Sequence, residues 1–411
     1  MEFRIALDPD NLERFRNNPV LKTFKLGRPR NRVERAVSPV PLHLSHSVYA
    51  LGGGAWSAEM RVCHGEQDGR PVCYAIVTLL DGPAAPLCAL LQGLADSVPF
   101  AVGDGSSPAS SPVKARPPLL EEEMEAGEAF ALIAASAIAH LSANHFYLMQ
   151  TGEPEAVHQM RVAVRRLRSS MTMFKALLDD PASDSLRPEL RWLQQTLGGA
   201  RDWDVLLADT VAPLKELFGE SSGFEKLCLA IADCRQAARA HALAELGGPR
   251  LTRLMLQLAF WADGAGKGRE MSRQPVGELA RAILDNRFHK VKKRIRHLAE
   301  LSAEDRHECR IAVKKLRYAV DFFSALFPAK RSQRLLPLLS TLQDRLGVLN
   351  DMVTARSKME ELVLAEAAAD MAWAAGQVIG WHTARSSGLL AKAQDDWHAA
   401  ERLPAFWRKP G

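Results

Sequence analysis

The sequence contains few of the residues on which covalent or metal chemistry usually depends. Its six cysteines form no C-x-x-C pair, and no cluster of cysteine and histidine has the spacing of zinc ligands. Scattered thiols of this kind are typical of a reducing compartment. We therefore expect mostly buried, unreactive thiols, with no metal site and no cofactor.

A strong charge imbalance is also absent, and so is a long apolar run. The chain has 53 Lys and Arg against 48 Asp and Glu, a net charge of +5, so any site for a polyanion must come from local clustering. The longest apolar stretch, around Ala129–Ala139, is shorter than a membrane span, and Met1–Arg4 shows no basic-then-apolar signal pattern. We expect a soluble, cytoplasmic protein.

The composition of the chain changes near residue 103. Residues 1–102 contain short apolar runs such as Tyr74–Leu80, which predict strands in a small α+β or β-rich domain, and Ala85–Leu94 is compatible with a short helix. A stretch rich in Gly, Ser and Pro then begins at Gly103 and cannot bury apolar area. It predicts a linker over residues 103–118.

The rest of the sequence predicts a mainly α fold. Ala, Leu, Arg, Glu and Gln are abundant from residue 119 onward, and apolar residues recur at spacings of three and four. A break over residues 264–276 divides this region into two helical bundles. We place the first bundle at residues 119–263 and the second at residues 277–408.

The two helical halves share a motif at a fixed separation. The segment His158–Arg168 reads HQMRVAVRRLR, and His307–Arg317 reads HECRIAVKKLR, 149 residues later. So many matches at one offset, with no gap, indicate an internal duplication. Further pairs at this offset are Leu197-Gly198 with Leu346-Gly347, Asp202 with Asp351, and His140 with His289.

On a helix, each copy of the motif carries a basic stripe beside its apolar face. At about 100° per residue, the histidine and the cations at +3, +7 and +10 fall within about 80° of one another. Neither stripe contains an acidic residue, although like charges at this spacing repel by a few tenths of a kcal/mol per pair. This favours an anion site over a solvated charged face, which stays the alternative. The stripes are His158, Arg161, Arg165 and Arg168 in the first copy and His307, Arg310, Lys314 and Arg317 in the second, with Arg166 and Lys315 to one side.

A third basic segment lies just before the second motif. Arg287–Arg296 carries six Arg and Lys in ten residues, and His289, Lys292, Lys293 and Arg296 fall on one side of a helix. The first copy has His140 at the position of His289 but lacks the lysines. This segment is either a wall of the anion site or an exposed, soluble surface.

The stripes favour binding over catalysis, because no nucleophile or carboxylate pair accompanies them. Arg forms forked hydrogen bonds to phosphate oxygens, and a duplicated array suits a long ligand with repeated charges. Nucleic acid would require aromatic side chains interleaved with the cations. The first stripe has none, and in the second only Tyr318 follows at its end, so a bare polyphosphate chain fits better.

These motifs resemble the CHAD family, named for its histidine-bearing α-helical domain. The likeness covers about 280 residues, and the segments Leu197–Asp202 and Leu346–Asp351 also carry it. The resemblance implies two antiparallel, pseudo-symmetric helical bundles around a basic groove or pore that holds inorganic polyphosphate, and a possible association with polyphosphate granules. It implies that Asp202 and Asp351 cap or orient a helix. The polyphosphate ligands that it implies are the stripe residues, Arg166, Lys315, His140, His289, Lys293, Arg296 and Arg201.

The first part of the chain resembles a shortened CYTH domain, a triphosphate-processing barrel. Glu2–Arg4, Leu80–Leu94 and Ser111–Lys114 carry this likeness, but the late acidic strand residues of that family are replaced here by Ala75–Thr78. Metal-dependent phosphoryl chemistry needs carboxylates to hold the cation, so we expect a binding protein and not an enzyme. The alternatives are a metal-dependent triphosphatase acting through this domain and a helical scaffold for nucleic acid or an acidic protein.

Overall fold

The computed structural model describes most of the chain and shows a mainly helical protein with a sheet near its N-terminus, which confirms the prediction of a mainly α fold preceded by a region with strands. The first part of the predicted linker and the middle of the predicted break between the bundles lie outside the described residues. The residues described are 2–6, 11–24, 30–36, 42–67, 70–98, 100–103, 111–218, 221–264, 270–327, 329–366, 368–386 and 388–408.

The N-terminal sheet is antiparallel throughout, with strand order β2-β3-β4-β5-β1-β6. Alternate residues of its central strands, such as Met60, Val62 and Val77, are fully buried, as expected for strands with one face on a core. The predicted strand and helix of this region lie within β5 and α3. The elements are β1 Glu2–Ala6, α1 Leu12–Arg16, α2 Pro19–Phe24, β2 Arg30–Ala36, β3 Leu42–Gly53, β4 Trp56–Gln67, β5 Arg70–Asp81, α3 Ala84–Ser97 and β6 Ala101–Gly103.

Helices make up the rest of the fold. A π-helical turn at Leu206–Val211 and a 3-10 turn at Ala212–Leu214 extend α6 and redirect the chain. The helices are α4 Ala126–Thr151, α5 Pro154–Met173, α6 Pro181–Val205, α7 Lys215–Phe218, α8 Ser222–Leu246, α9 Pro249–Gly264, α10 Val276–Ile295, α11 Ala303–Phe323, α12 Ala329–Glu366, α13 Ala369–Ser386 and α14 Leu389–Glu401.

Local sequence signals fix where the helices around the basic stripes begin and end. Pro154 stands in the first turn of α5, where a missing N–H carries no penalty. The Asp180 carboxylate accepts from the Ser183 N–H at 2.8 Å to cap α6, and the Ser302 hydroxyl accepts from the Asp305 N–H at 3.0 Å to cap α11. These starts set the direction in which each basic stripe points.

Structural details recur at the offset found in the sequence. A 3-10 turn follows α5 at Lys175–Leu177 and another follows α11 at Ser324–Leu326, and α6 and α12 contain Pro188 and Pro337. The two halves also meet where each begins. The Ala126 N–H donates to the Gln274 carbonyl at 2.9 Å, and the Val276 N–H donates to the Met124 carbonyl at 2.8 Å.

One continuous apolar core connects the sheet with both helical halves, and a smaller core joins α8 and α13 to the turns after α6 and the last part of α12. The apolar stretch Ala129–Ala139 belongs to α4, which by length and composition could cross a membrane. However, 61% of its most apolar window is buried inside the protein. Most of this apolar window of α4 is therefore packed against the rest of the protein.

Candidate functional site

The two basic stripes meet at a cavity of about 370 Å³ that we call the α5–α11 cavity. Besides α5 and α11, the end of α6 and the middle of α12 contribute to its walls. Its basic lining residues are His158, Arg161, Arg165, Arg201, Arg310 and Lys314.

Two equivalent ion pairs stand at the rim of this cavity. Arg161 Nη1 lies 3.5 Å from Asp202 Oδ1, and Arg310 Nη2 lies 3.6 Å from Asp351 Oδ1. Asp202 and Asp351 were expected to cap or orient a helix. Both lie inside α6 and α12 and cap neither helix, and each instead pairs with an arginine of another helix. Since both pairs are long and both carboxylates are about 40% exposed, each arginine keeps N–H groups available to a ligand.

Arg165 and Lys314 face the cavity without an ion pair in the part of the chain that is described. Burial, together with the charges of Arg310, Arg165 and Arg161, lowers the pKa of Lys314 to about 7 against the opposing effect of Asp351. Burial likewise lowers the pKa of Arg165, with Arg161, Arg317 and Arg310 adding to the effect. The lining therefore carries five Arg and Lys against three carboxylates, those of Asp202, Asp209 and Asp351, which leaves a net positive charge in a partly desolvated place.

His158 contributes a different kind of group. Burial lowers its pKa, and the nearby Arg201, Arg165 and Arg161 act in the same direction, against Glu155. The imidazole is accordingly neutral near pH 7 and offers one hydrogen-bond donor and one acceptor.

The last cation of each stripe is held by the next helix of its own half. Arg168 donates to the Gln194 side chain, and Arg317 Nε donates to Gln343 Oε1 at 2.9 Å. The Arg317 guanidinium also lies 4.9 Å from the centre of the Tyr318 ring. Neither arginine lines the α5–α11 cavity.

His307 does not line the α5–α11 cavity, unlike its counterpart His158. Its Nδ1 lies 2.6 Å from Asn350 Oδ1, and it lines a neighbouring cavity of about 430 Å³ bordered by α11, α12 and α13. The two cavities touch, because Asn350 and Thr210 line both.

Two of the expected ligand residues are packed into the interior instead. His140 is 5% exposed, and its Nε2 lies 2.9 Å from the Val113 carbonyl oxygen. Arg166 is 6% exposed, forms an ion pair with Asp321 and lies over the Phe322 ring at 4.8 Å. Both residues hold elements together and do not line the α5–α11 cavity.

The third basic segment does not wall the α5–α11 cavity. Lys293 and Lys315 line a separate cavity between α10 and α11, while His289 and Arg296 are exposed. The segment borders a face of α11 that differs from the face lining the α5–α11 cavity, since Lys315 lies on the first and Lys314 on the second.

Asn350 also lines the cavity, although the sequence motifs did not indicate it as a site residue. It stands at the position of Arg201, 149 residues later, and both line the cavity. The duplication offset was the signal that could have found it. The two halves therefore contribute different groups at this one position, a guanidinium and an amide.

Comparisons with known proteins agree on the helical region. A family model described as the CHAD domain matches residues 132–360. The crystal structure of the CHAD domain from the plant Ricinus communis is similar with 31% identity and a TM-score of 0.64, over 72% of this chain and 99% of that one. PptA from Streptomyces chartreusis shares the fold, with 19% identity and a TM-score of 0.54, over 67% of this chain and 99% of that one. No curated protein matches the chain.

Proposed function

The chain belongs to the CHAD domain family, and we propose that it binds inorganic polyphosphate in the α5–α11 cavity without catalysing a reaction. One observation carries this proposal: five Arg and Lys side chains from both halves line one cavity. Arg165 and Lys314 have no ion pair in the described structure, so an anion would supply the missing negative charge. The neutral His158 would add a hydrogen bond to a phosphate oxygen.

The lining favours bare polyphosphate over nucleic acid. Among the described residues, no Phe, Tyr or Trp lines the cavity, so bases would find no ring on which to stack. The ring of the buried Tyr318 is in a stacking contact with Arg317. Guanidinium groups on opposite walls suit a narrow chain with phosphates along its whole length.

We further propose that the halves are two pseudo-symmetric bundles with the cavity near their axis. Contacts that recur at the 149-residue offset support this arrangement. Arg161 with Asp202 matches Arg310 with Asp351, and the contacts of the last stripe arginines with Gln194 and Gln343 also match.

For the N-terminal sheet, we propose a reduced CYTH-like domain that has no catalytic role. The support is in β5, where Ala75–Thr78 presents no carboxylate. Within the described ranges, no three His, Cys, Asp or Glu side chains lie close enough to hold a metal ion. We place the protein in the cytoplasm, where polyphosphate and its granules would be its partners.

The proposal is tested by calorimetric titration with long-chain polyphosphate and with DNA of matched total charge. The variant Arg165→Gln/Lys314→Gln removes the two unpaired cations, and we expect its affinity for polyphosphate to fall at least about tenfold, since hydrogen bonds to charged groups contribute roughly 1.5–3 kcal/mol each. The matched control, Lys226→Gln/Arg408→Gln, removes the same formal charge at exposed ion pairs whose residues do not line the cavity and should stay within about twofold. Equal losses in both variants, or DNA binding as tight as polyphosphate binding, would refute the proposal.

A further inference from the structure

A second, larger cavity of about 770 Å³ lies between α10 and α11, and we call it the α10–α11 cavity. It shares no lining residue with the α5–α11 cavity. The last turn of α5 adds Thr172 and Met173 to its wall. Five cations line it, namely Arg287, Lys290, Lys293, Arg294 and Lys315.

Most of this charge is uncompensated. Arg294 Nη1 lies 3.4 Å from Glu308 Oε2, but the other four cations form no ion pair with the described residues. Burial lowers the pKa of Arg287, and burial followed by the charge of Arg287 lowers the pKa of Lys315. Asp305 also lines the cavity, so the lining carries five positive and two negative groups.

The equivalent place in the first half is filled and neutral. At the positions of Arg287 and Lys290 the first half has Ile138 and Leu141, which are 7% and 0% exposed. Asn144 stands at the position of Lys293. Three basic side chains of the second half therefore replace uncharged ones of the first.

The contact between the halves differs in the same way. Arg166 of the first half meets Asp321 and Phe322, which neutralise and cover it. Lys315 stands at the equivalent position in the second half, and there the cavity wall offers Thr172 and Met173, which lie 149 residues before that pair. The contact around Arg166 is therefore closed and packed, whereas the equivalent place around Lys315 is an open, basic cavity.

We propose that the α10–α11 cavity is a binding site for a small organic phosphate, a molecule with several phosphate groups on an apolar-faced ring, such as a nucleoside triphosphate. The cations would hold the phosphates, and Met173, Ile283 and Ile311 on the same lining would contact the ring. The volume lies within the range of roughly 300–1,000 Å³ typical of small-molecule sites. Inorganic phosphate alone would leave the apolar part of the lining without a partner.

The test uses the full-length protein and titrates it with ATP and with inorganic tripolyphosphate, which has the same number of phosphates, without divalent cations. In the Arg165→Gln/Lys314→Gln background, which weakens the site proposed for polyphosphate, we expect ATP to bind more tightly than tripolyphosphate. The variant Arg287→Gln/Lys315→Gln should weaken ATP binding at least about tenfold. Its matched control, Lys292→Gln/Arg296→Gln, removes two charges from the same segment outside the cavity lining and should stay within about twofold of the unaltered protein.

Two further results separate this site from the one proposed for polyphosphate. Arg165→Gln/Lys314→Gln should leave ATP affinity within twofold, and Arg287→Gln/Lys315→Gln should leave the affinity for long-chain polyphosphate within twofold. If Arg287→Gln/Lys315→Gln does not fold, Lys290→Gln/Lys293→Gln, at the exposed side of the cavity, should show the same loss of ATP. Absence of ATP binding at millimolar concentration, equal affinity for tripolyphosphate, or ATP binding that these cavity variants do not change would overturn the proposal.

Discussion

Lys314 shows how burial and neighbouring positive charges change the pKa of a single lysine. An ordinary lysine has a pKa near 10.4, whereas burial and the charges of Arg310, Arg165 and Arg161 bring that of Lys314 to about 7. A phosphate group beside it would favour the protonated form and raise the pKa again. Under the proposed function, the binding of polyphosphate above pH 7 is therefore coupled to the uptake of a proton.

This proton uptake makes the affinity depend on pH. Between pH 7 and 9 we expect the affinity for polyphosphate to fall as pH rises, by up to about tenfold per unit, because an increasing fraction of the free protein has neutral Lys314. Titrations in buffers of different ionisation enthalpy measure the proton uptake directly. Lys314→Arg, which keeps its charge throughout this range, should flatten the profile, and a flat profile in the unaltered protein would contradict the prediction.

The residues that the sequence placed in the stripes do not all reach the cavity. A helical wheel gives the direction of a side chain around one axis, which correctly groups Arg161 with Arg165. It does not say which neighbouring helix is within reach. Arg168 and Arg317 donate hydrogen bonds to Gln194 and Gln343. No pattern within the motif itself predicts those partners.

At the scale of elements, Arg166 joins α5 to α11. Its side chain is 7% exposed and that of its partner Asp321 is 25% exposed, so the pair lies in the contact between the two halves. The sequence suggested a minor role in anion binding for Arg166, since its wheel position lies beside the stripe. In the structure Arg166 has no such role, because Asp321 and Phe322 of the neighbouring helix α11 cover it.

Removing the carboxylate of this pair should destabilise the protein. We expect Asp321→Asn to lower the free energy of unfolding by about 2 kcal/mol, less than the roughly 3–5 kcal/mol of a fully buried pair, because water still reaches Asp321. Urea denaturation measures the change. Glu360→Gln, which breaks an exposed pair with Arg356, should change stability by less than about 0.5 kcal/mol, and equal effects of the two substitutions would contradict the buried role.

At the scale of the whole molecule, the sheet and the helices share one core. The Thr252 hydroxyl of α9 donates to the Phe100 carbonyl at 2.7 Å, and both residues are buried. Arg253 of the same helix donates to Asp96 Oδ1 at 2.6 Å. The sheet is thus docked on the first helical half by both apolar and polar contacts.

We therefore expect the sheet and the helical halves to unfold together. Native-state hydrogen exchange should give the amides of β4 and β5 the same opening free energy as those of α4. Thr252→Val, which removes the buried hydroxyl, should lower both values equally, by about 1 kcal/mol. Sheet amides that exchange at a clearly lower free energy than α4 would show independent unfolding instead.

The sequence anticipated this architecture unevenly. The duplication could be read from spacing alone, and with it the two helical halves, because helix periodicity is local. The sheet was foreseen only as a small α+β or β-rich region, since part of its strand pairing joins residues distant in sequence, such as Phe3 and Val77, which face each other across β1 and β5. The cavities could not be predicted from the sequence, because they depend on how completely neighbouring helices fill the space between them.

The uncompensated charge of the α5–α11 cavity has a consequence for folding as well as for binding. In the unfolded chain these cations separate and regain water, so the empty site subtracts from the stability of the folded protein. For Lys314 the effect has a definite sign: its pKa is lower folded than unfolded, so this contribution makes stability rise with pH between about 7 and 10.5. A bound polyanion reverses the penalty and shifts the folding equilibrium by mass action. Under the proposed function, a higher concentration of polyphosphate therefore also makes the protein more resistant to heat and proteolysis.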